Sequence, residues 1–237
     1  MKTEYSRQDE RLWEHHQVEN GEYFEAGHRR QDKILWEIRR RLKPQSRILE
    51  IGFGDGYLLH KLSSFFHPFG ADISQKNVDQ VKKREGNRIE FTTIGIDGTL
   101  PYPDAHFDGF VASEVLEHMD TAELVRCVEE IRRVLRKGGI AFLTFPAKEN
   151  LKDNECFCPH CGLIFHKWGH KQRWDEQNID EVFSGFTRLS LKEFFLPHEG
   201  KGFLENLLGR AMWLLRTVLQ KFLPLPGATY MLIVQKK

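Results

Sequence analysis

From about residue 28 to residue 146, short apolar runs alternate with stretches whose apolar positions recur at helical spacing. Ile34, Leu35, Ile38 and Leu42 share one face and Pro44 marks a stop, which predicts a helix over 28–42 with Arg39, Arg40 and Arg41 on its solvated side. An apolar strand at 48–51 runs into a loop with glycine at 52, 54 and 56, and 57–66 opens a helix. Further strands are expected at 68–73, 89–94, 107–112 and 140–145. Between the last two, Leu124, Val128, Ile131 and Leu135 put a helix at 121–136, which Gly138 and Gly139 are expected to end. Strands separated by helices predict a parallel sheet with crossover connections. After 146 the alternation breaks. A segment rich in cysteine and histidine covers 154–171, a helix is expected at 175–184, and strands at 186–195 and 228–234 close the pattern.

Composition narrows the class without naming a function. The chain has 237 residues and 40% hydrophobic content, enough for one α/β domain with additions. Lys and Arg number 35 against 34 Asp and Glu, so no overall field draws the protein to nucleic acid or an anionic membrane. Met1 to Glu10 is polar and lacks the apolar core of a secretion signal, and the expectation is a cytoplasmic protein. Residues 11–27 carry Trp13, His15, His16, Tyr23 and Phe24; a cover over a site and a packing strap are both open readings.

The loop after the first strand carries the first chemistry. Glycines at 52, 54 and 56 let the backbone turn sharply and let a ligand lie against it. A dinucleotide fingerprint would read G-x-G-x-x-G; here the third glycine comes one residue early, behind the acidic Glu50. Asp72 lies 22 positions after Glu50 at the end of the second strand, where an acid can accept hydrogen bonds from ribose hydroxyls, although Asp72 and Ser74 also suit a helix cap. Asp97-Gly98 is a common turn dipeptide.

In order and spacing, ILEIGFGDG, GADIS, GIDGTLPYPDAHFD, SEVLEHM and LRKGGIAFLTFP resemble the class I S-adenosylmethionine-dependent methyltransferases across roughly 45–146. The resemblance implies a Rossmann-like α/β fold with a seven-stranded, mostly parallel sheet whose last strand is antiparallel, and 28–146 as its cofactor-binding core. It also implies an S-adenosylmethionine shell of Glu50, Gly52, Gly54, Gly56, Asp72, Ile73, Asp97, Gly98 and Ser113, with Asp97 facing the adenine amino group.

Glu114-Val-Leu-Glu117-His118 follows the fourth strand, at the sheet edge where α/β proteins bind ligands. His118 is the candidate base, with Glu114 and Glu117 beside it; capping and packing of the next helix is the structural alternative. No Asn-Pro-Pro-Tyr type sequence stands here, which argues against base- and glutamine-directed amino methyltransferases. The E-x-x-E-H pattern is similar to quinone- and glycan-pathway O-methyltransferases. It is also similar to small-RNA 2′-O-methyltransferases, where such residues and a later histidine, matched here by His166 or His170, hold a divalent metal.

Three of the four cysteines lie between 156 and 161. Cys158, Cys161, His166 and His170 follow a C-x2-C-x4-H-x3-H spacing that predicts a structural zinc ion, with Cys156 or His160 as substitutes. His170 cannot readily serve both this knuckle and a carboxylate metal site. Cys127 is expected in the core. Residues 203–223 place Leu204, Leu207, Leu208, Ala211, Leu214, Leu215, Val218, Leu219 and Phe222 on one stripe, an amphipathic helix within an insertion at 202–226. Its interspersed charges exclude a transmembrane span, and core packing or peripheral membrane contact would suit it. The expected function is methylation of a hydroxyl on a small molecule, glycan or lipid-linked precursor. RNA 2′-O-methylation and an inactive scaffold that binds a protein partner through the Cys/His module are the alternatives.

Overall fold

A computed structural model of the chain describes residues 27–95, 97–195 and 229–237. The stretch at 11–27 and the amphipathic stretch at 203–223 therefore lie outside the described residues, apart from Gly27. Helix α1 (His28–Arg41) precedes β1 (Arg47–Ile51); α2 (Tyr57–Leu62), β2 (His67–Asp72), α3 (Gln75–Glu85) and β3 (Glu90–Thr93) follow. Then come β4 (Phe107–Ser113), α4 (Thr121–Val134) and β5 (Leu135–Pro146), a hairpin of β6 (Glu155–Phe157) and β7 (Ile164–His166), α5 (Glu176–Val182), β8 (Phe186–Phe194) and β9 (Thr229–Lys236).

Seven strands form one sheet in the order β3-β2-β1-β4-β5-β9-β8. The first five pair in parallel, and β9 runs antiparallel to both β5 and β8. Helices cover both faces, so the inner strands must be apolar on both sides. Ile48, Val111 and Phe142 face one way, against Ile34 and Ile38 of α1 and Leu58 and Leu62 of α2. Leu49, Phe110 and Ala141 face the other way, against Leu124, Ile131 and Val134 of α4. Each fully buried leucine or isoleucine contributes about 1.5–3 kcal/mol.

Asp120 caps α4 reciprocally with Glu123, and Asp175 does the same for α5 with Asn178. The end of α4 differs from expectation. Leu135 is already extended, and Gly138 and Gly139 lie inside β5, where the pairing slips between Phe107 opposite Leu135 and Gly109 opposite Ile140. Gly138, at φ 73°, takes up this irregularity and does not end the helix. The hairpin β6–β7 was not expected, because its strands are only three residues long. Among the described residues no helix is long and apolar enough to cross a membrane.

Strand order reverses between β1 and β4. Ligand clefts in such sheets open at the carboxyl ends of the strands flanking that point, which here are Ile51 and Ser113.

Candidate active site

The glycine loop leaves β1 with three residues in left-handed conformation, Gly52 (φ 61°), Gly54 (φ 54°) and Gly56 (φ 75°). At Gly52 the reason is also spatial: a Cβ there would stand 2.7 Å from Val115 Cγ2. Val115 belongs to the Glu114–His118 segment, so the two motifs recognised separately in the sequence pack directly on each other. His28 Nε2 lies 2.6 Å from Asp55 Oδ2, and its ring stacks on Tyr57 at 3.9 Å, tying the start of α1 to the loop.

Glu50 ends fully buried beneath this loop, and neither carboxylate oxygen has a hydrogen-bond partner. Burial, reinforced by Asp55 and Asp72, pushes its carboxyl well above the usual range. Asp72 is buried at the end of β2; it accepts hydrogen bonds from the Ser74 backbone N–H (2.9 Å) and from Asn77 Nδ2 (3.1 Å). Ser74 serves as the cap of α3, accepting from Asn77 N–H. Asn77 also donates to the Gly54 carbonyl at 3.0 Å, so one amide braces Asp72 against the glycine loop. Ile73, next to Asp72, is exposed.

The other expected cofactor residues differ in placement. Ser113, at the end of β4, accepts from Arg30 Nε (3.1 Å) and lies 3.1 Å from Thr144 Oγ1. Asp97 is exposed and closes its own loop, accepting from Thr99 N–H (3.1 Å) and the Thr99 hydroxyl (3.0 Å). These bonds lower its carboxyl below the ordinary value. Gly98 (φ 77°) has nothing within 4 Å of where a Cβ would stand.

Beyond β4, Glu114 sits at φ 55°, a left-handed conformation that costs a non-glycine residue about 1–3 kcal/mol. One of its carboxylate oxygens is buried without a hydrogen bond, 3.8 Å from Arg30 Nε. Glu117 is fully buried with no hydrogen bond to either oxygen, its Oε1 3.9 Å from His118 Nε2, and burial, then the nearby Glu114, raises its carboxyl well above the usual range. Its main-chain carbonyl accepts from the N–H groups of Lys171 (2.6 Å) and Gln172 (3.0 Å). That return of the chain brings His170 to His118, with ring centroids 4.9 Å apart. His118 Nδ1 lies 3.3 Å from the Gly169 carbonyl, and burial and the adjacent His170 hold its pKa down at about 3. The candidate base is thus a neutral imidazole of low basicity.

The expected zinc set is divided. Among the described residues, the three-donor groups of the kind a cation can use are Glu117, His118 and His170, and Glu149, His166 and His170; neither contains a cysteine. His170 Nδ1 is 2.5 Å from Glu149 Oε2, and His166 stacks on His170 at 4.6 Å. Cys158, Cys161, His166 and His170 therefore do not come together, because both imidazoles turn inward to Glu149. The cysteines stay on the hairpin loop, where the N–H groups of Cys161 and His160 lower the Cys158 thiol. Cys127 packs against the core, its thiol pushed up to about 12 by burial.

Sequence reasoning missed Arg30, Asn77 and Glu149. Nothing local marks the first two, whereas Glu149 follows β5 at the sheet edge that the fold assigns to ligands.

Residues 49–143 match a family model described as a methyltransferase domain. The chain is 32% identical over 98 residues to a probable tRNA methyltransferase 9B of Mus musculus, a match covering 41% of this chain and 21% of that protein. It is 30% identical over 119 residues to the mitochondrial ubiquinone biosynthesis O-methyltransferase of Rattus norvegicus, covering 46% of this chain and 34% of the relative. The chain thus spans only a fifth to a third of these relatives. Among solved structures, the complex of the Haloferax volcanii Trm112 methyltransferase activator with a methyltransferase gives a TM-score of 0.67 at 16% identity, covering 94% of this chain and 96% of that chain. The fold is that of the class I S-adenosylmethionine-dependent methyltransferases.

Proposed function

We propose that the protein transfers the methyl group of S-adenosylmethionine to a hydroxyl of a small molecule, glycan or lipid-linked precursor. The observation that carries this reading is the contact between two motifs: Val115 locks a cofactor-type glycine loop against a buried Glu117–His118–His170 cluster. The residues present fit the donor. Glu50 is a buried carboxylate without a partner and suits the cationic methionine end, Asp72 suits the ribose, and the open space over Gly98 suits a ring lying on the backbone. S-adenosylmethionine supplies the reactive methyl.

Transfer forms an oxygen–carbon bond as the carbon–sulfur bond breaks and its electron pair returns to sulfur, while the hydroxyl proton must leave. Alignment supplies much of the rate, and a neutral alcohol attacks poorly unless its proton is taken. The Glu/His cluster is the proton-handling group in this reading, and the absence of an Asn-Pro-Pro-Tyr sequence after β4 argues against nucleic-acid-base and glutamine amino acceptors. The ubiquinone O-methyltransferase among the relatives supports the oxygen acceptor. The tRNA methyltransferase supports RNA as the second reading, against which stands the near-neutral charge. A labelled-methyl screen over glycan, quinone, lipid and RNA pools tests the acceptor; label in a hydroxyl of a non-RNA pool is expected, and label confined to RNA or to protein side chains would overturn it.

A further inference from the structure

We propose that the first turn of α1 recognises the amino-acid tail of S-adenosylmethionine, with the Arg30 guanidinium on its carboxylate and the Gln31 side-chain oxygen sharing its ammonium with Glu50. This rests on the reading above and gives the site a selectivity for nucleosides that carry a zwitterion.

α1 lies on the sheet through Ile34 and Ile38, which are buried against Ile48 of β1 and Val111 of β4. Arg30 and Gln31 stand four and three positions before Ile34, on the same face one turn earlier. The strands show where that turn lands. Side chains alternate along a strand, so Glu50 faces the same way as Ile48, and Ser113 the same way as Val111. Glu50 pairs with Val111, which puts Glu50 and Ser113 on the α1 side of neighbouring strands. Arg30 Nε donates to Ser113 Oγ at 3.1 Å, so the guanidinium lies at the carboxyl end of β4. His28, in the same turn, holds the glycine loop through Asp55. The turn thus joins the two lips of the cleft.

Its polar groups are not used up by the fold. Gln31 is only 8% exposed, and its Oε1 accepts no hydrogen bond. Both oxygens of the buried Glu50 are in the same condition. Buried acceptors are costly unless a donor reaches them. Arg30 is a largely buried donor: its side chain is 18% exposed, and its terminal Nη1 and Nη2 donate to no group among the described residues. Glu114 Oε1, 3.8 Å from Arg30 Nε, accepts no hydrogen bond. An α-amino acid carries an anion and a cation on one carbon. The planar fork of arginine suits the carboxylate, and the Glu50 and Gln31 oxygens suit the N–H groups of the ammonium. An arriving ammonium also gives Glu50 the counter-charge it lacks in the ligand-free protein.

Calorimetric titration with three ligands of uncharged sulfur separates the tail from the nucleoside. S-adenosylhomocysteine carries the whole tail, its decarboxylated analogue lacks the carboxylate, and 5′-methylthioadenosine lacks both charged groups. The wild type should bind S-adenosylhomocysteine about tenfold or more tightly than either truncated compound. Arg30→Ala should weaken S-adenosylhomocysteine about tenfold or more and leave the other two within about twofold. Arg30→Lys, which keeps the charge and loses the fork, should recover part of that loss. Gln31→Leu should weaken S-adenosylhomocysteine and the decarboxylated analogue alike and spare 5′-methylthioadenosine. Equal wild-type affinities for S-adenosylhomocysteine and 5′-methylthioadenosine, or Arg30→Ala and Arg30→Lys variants that lose all three ligands to the same degree, would overturn the proposal and leave the methyl-donor reading standing. A folded wild type that binds none of the three would overturn both.

Discussion

Replacing Gly52 by alanine should destabilise the protein by about 2–5 kcal/mol, and the structure says where that sum comes from. Gly52 is left-handed at φ 61°, which costs an L-residue about 1–2 kcal/mol. The new Cβ would also stand 2.7 Å from Val115 Cγ2, well inside the roughly 3.5–4.0 Å of a favourable carbon contact. Valine is stiff at χ1 and cannot swing away freely, so overpacking adds about 1–3 kcal/mol. Gly98→Ala supplies the control, with the same sign of φ (77°) and nothing within 4 Å; it should cost only the backbone part, about 1–2 kcal/mol. Urea denaturation of both variants, of Val115→Ala and of the Gly52→Ala/Val115→Ala double variant closes a cycle in which the double should regain the overpacking part. If Gly52→Ala costs no more than Gly98→Ala, or if removing the Val115 methyl groups recovers nothing, the packing of the cofactor loop on the Glu114–His118 segment is not what makes glycine necessary.

Glu50 has a folded-state carboxyl raised by burial, so its contribution to stability is fully present below about pH 4.5 and is lost as pH rises through the folded value. Relative to wild type, Glu50→Gln should therefore gain stability in the ligand-free protein between mildly acidic and neutral pH, and it should bind S-adenosylmethionine more weakly; urea denaturation at pH 5 and pH 8 with no gain between them would refute the first part.

The sheet was legible because its inner strands are buried on both faces and so are written as unbroken apolar runs, such as Ile48-Leu49 and Phe110-Val111-Ala112. The early third glycine at 56 and the Glu114–His118 segment were legible for a different reason, their fixed intervals along the chain. What failed were features decided by approach through space. His166 and His170 stand at a spacing that suits zinc, and spacing alone does not say that both rings turn toward Glu149. Asn77 and Arg30 act 23 and 83 positions from their partners Gly54 and Ser113, with no local signature. Gly138 and Gly139 read as a helix stop because that is the common use of such a pair, whereas here the strand starts first and the glycines take up a slip in pairing.

The cleft between β1 and β4 is expected to take S-adenosylmethionine, with Asp72 on its ribose. Calorimetric titration of the wild type and Asp72→Ala, each shown to be folded by circular dichroism, tests it. One site per chain in the wild type and affinity at least about tenfold weaker in the variant are predicted, since a hydrogen bond to a charged group is worth about 1.5–3 kcal/mol. Equal affinities, or no binding by the folded wild type, would contradict it.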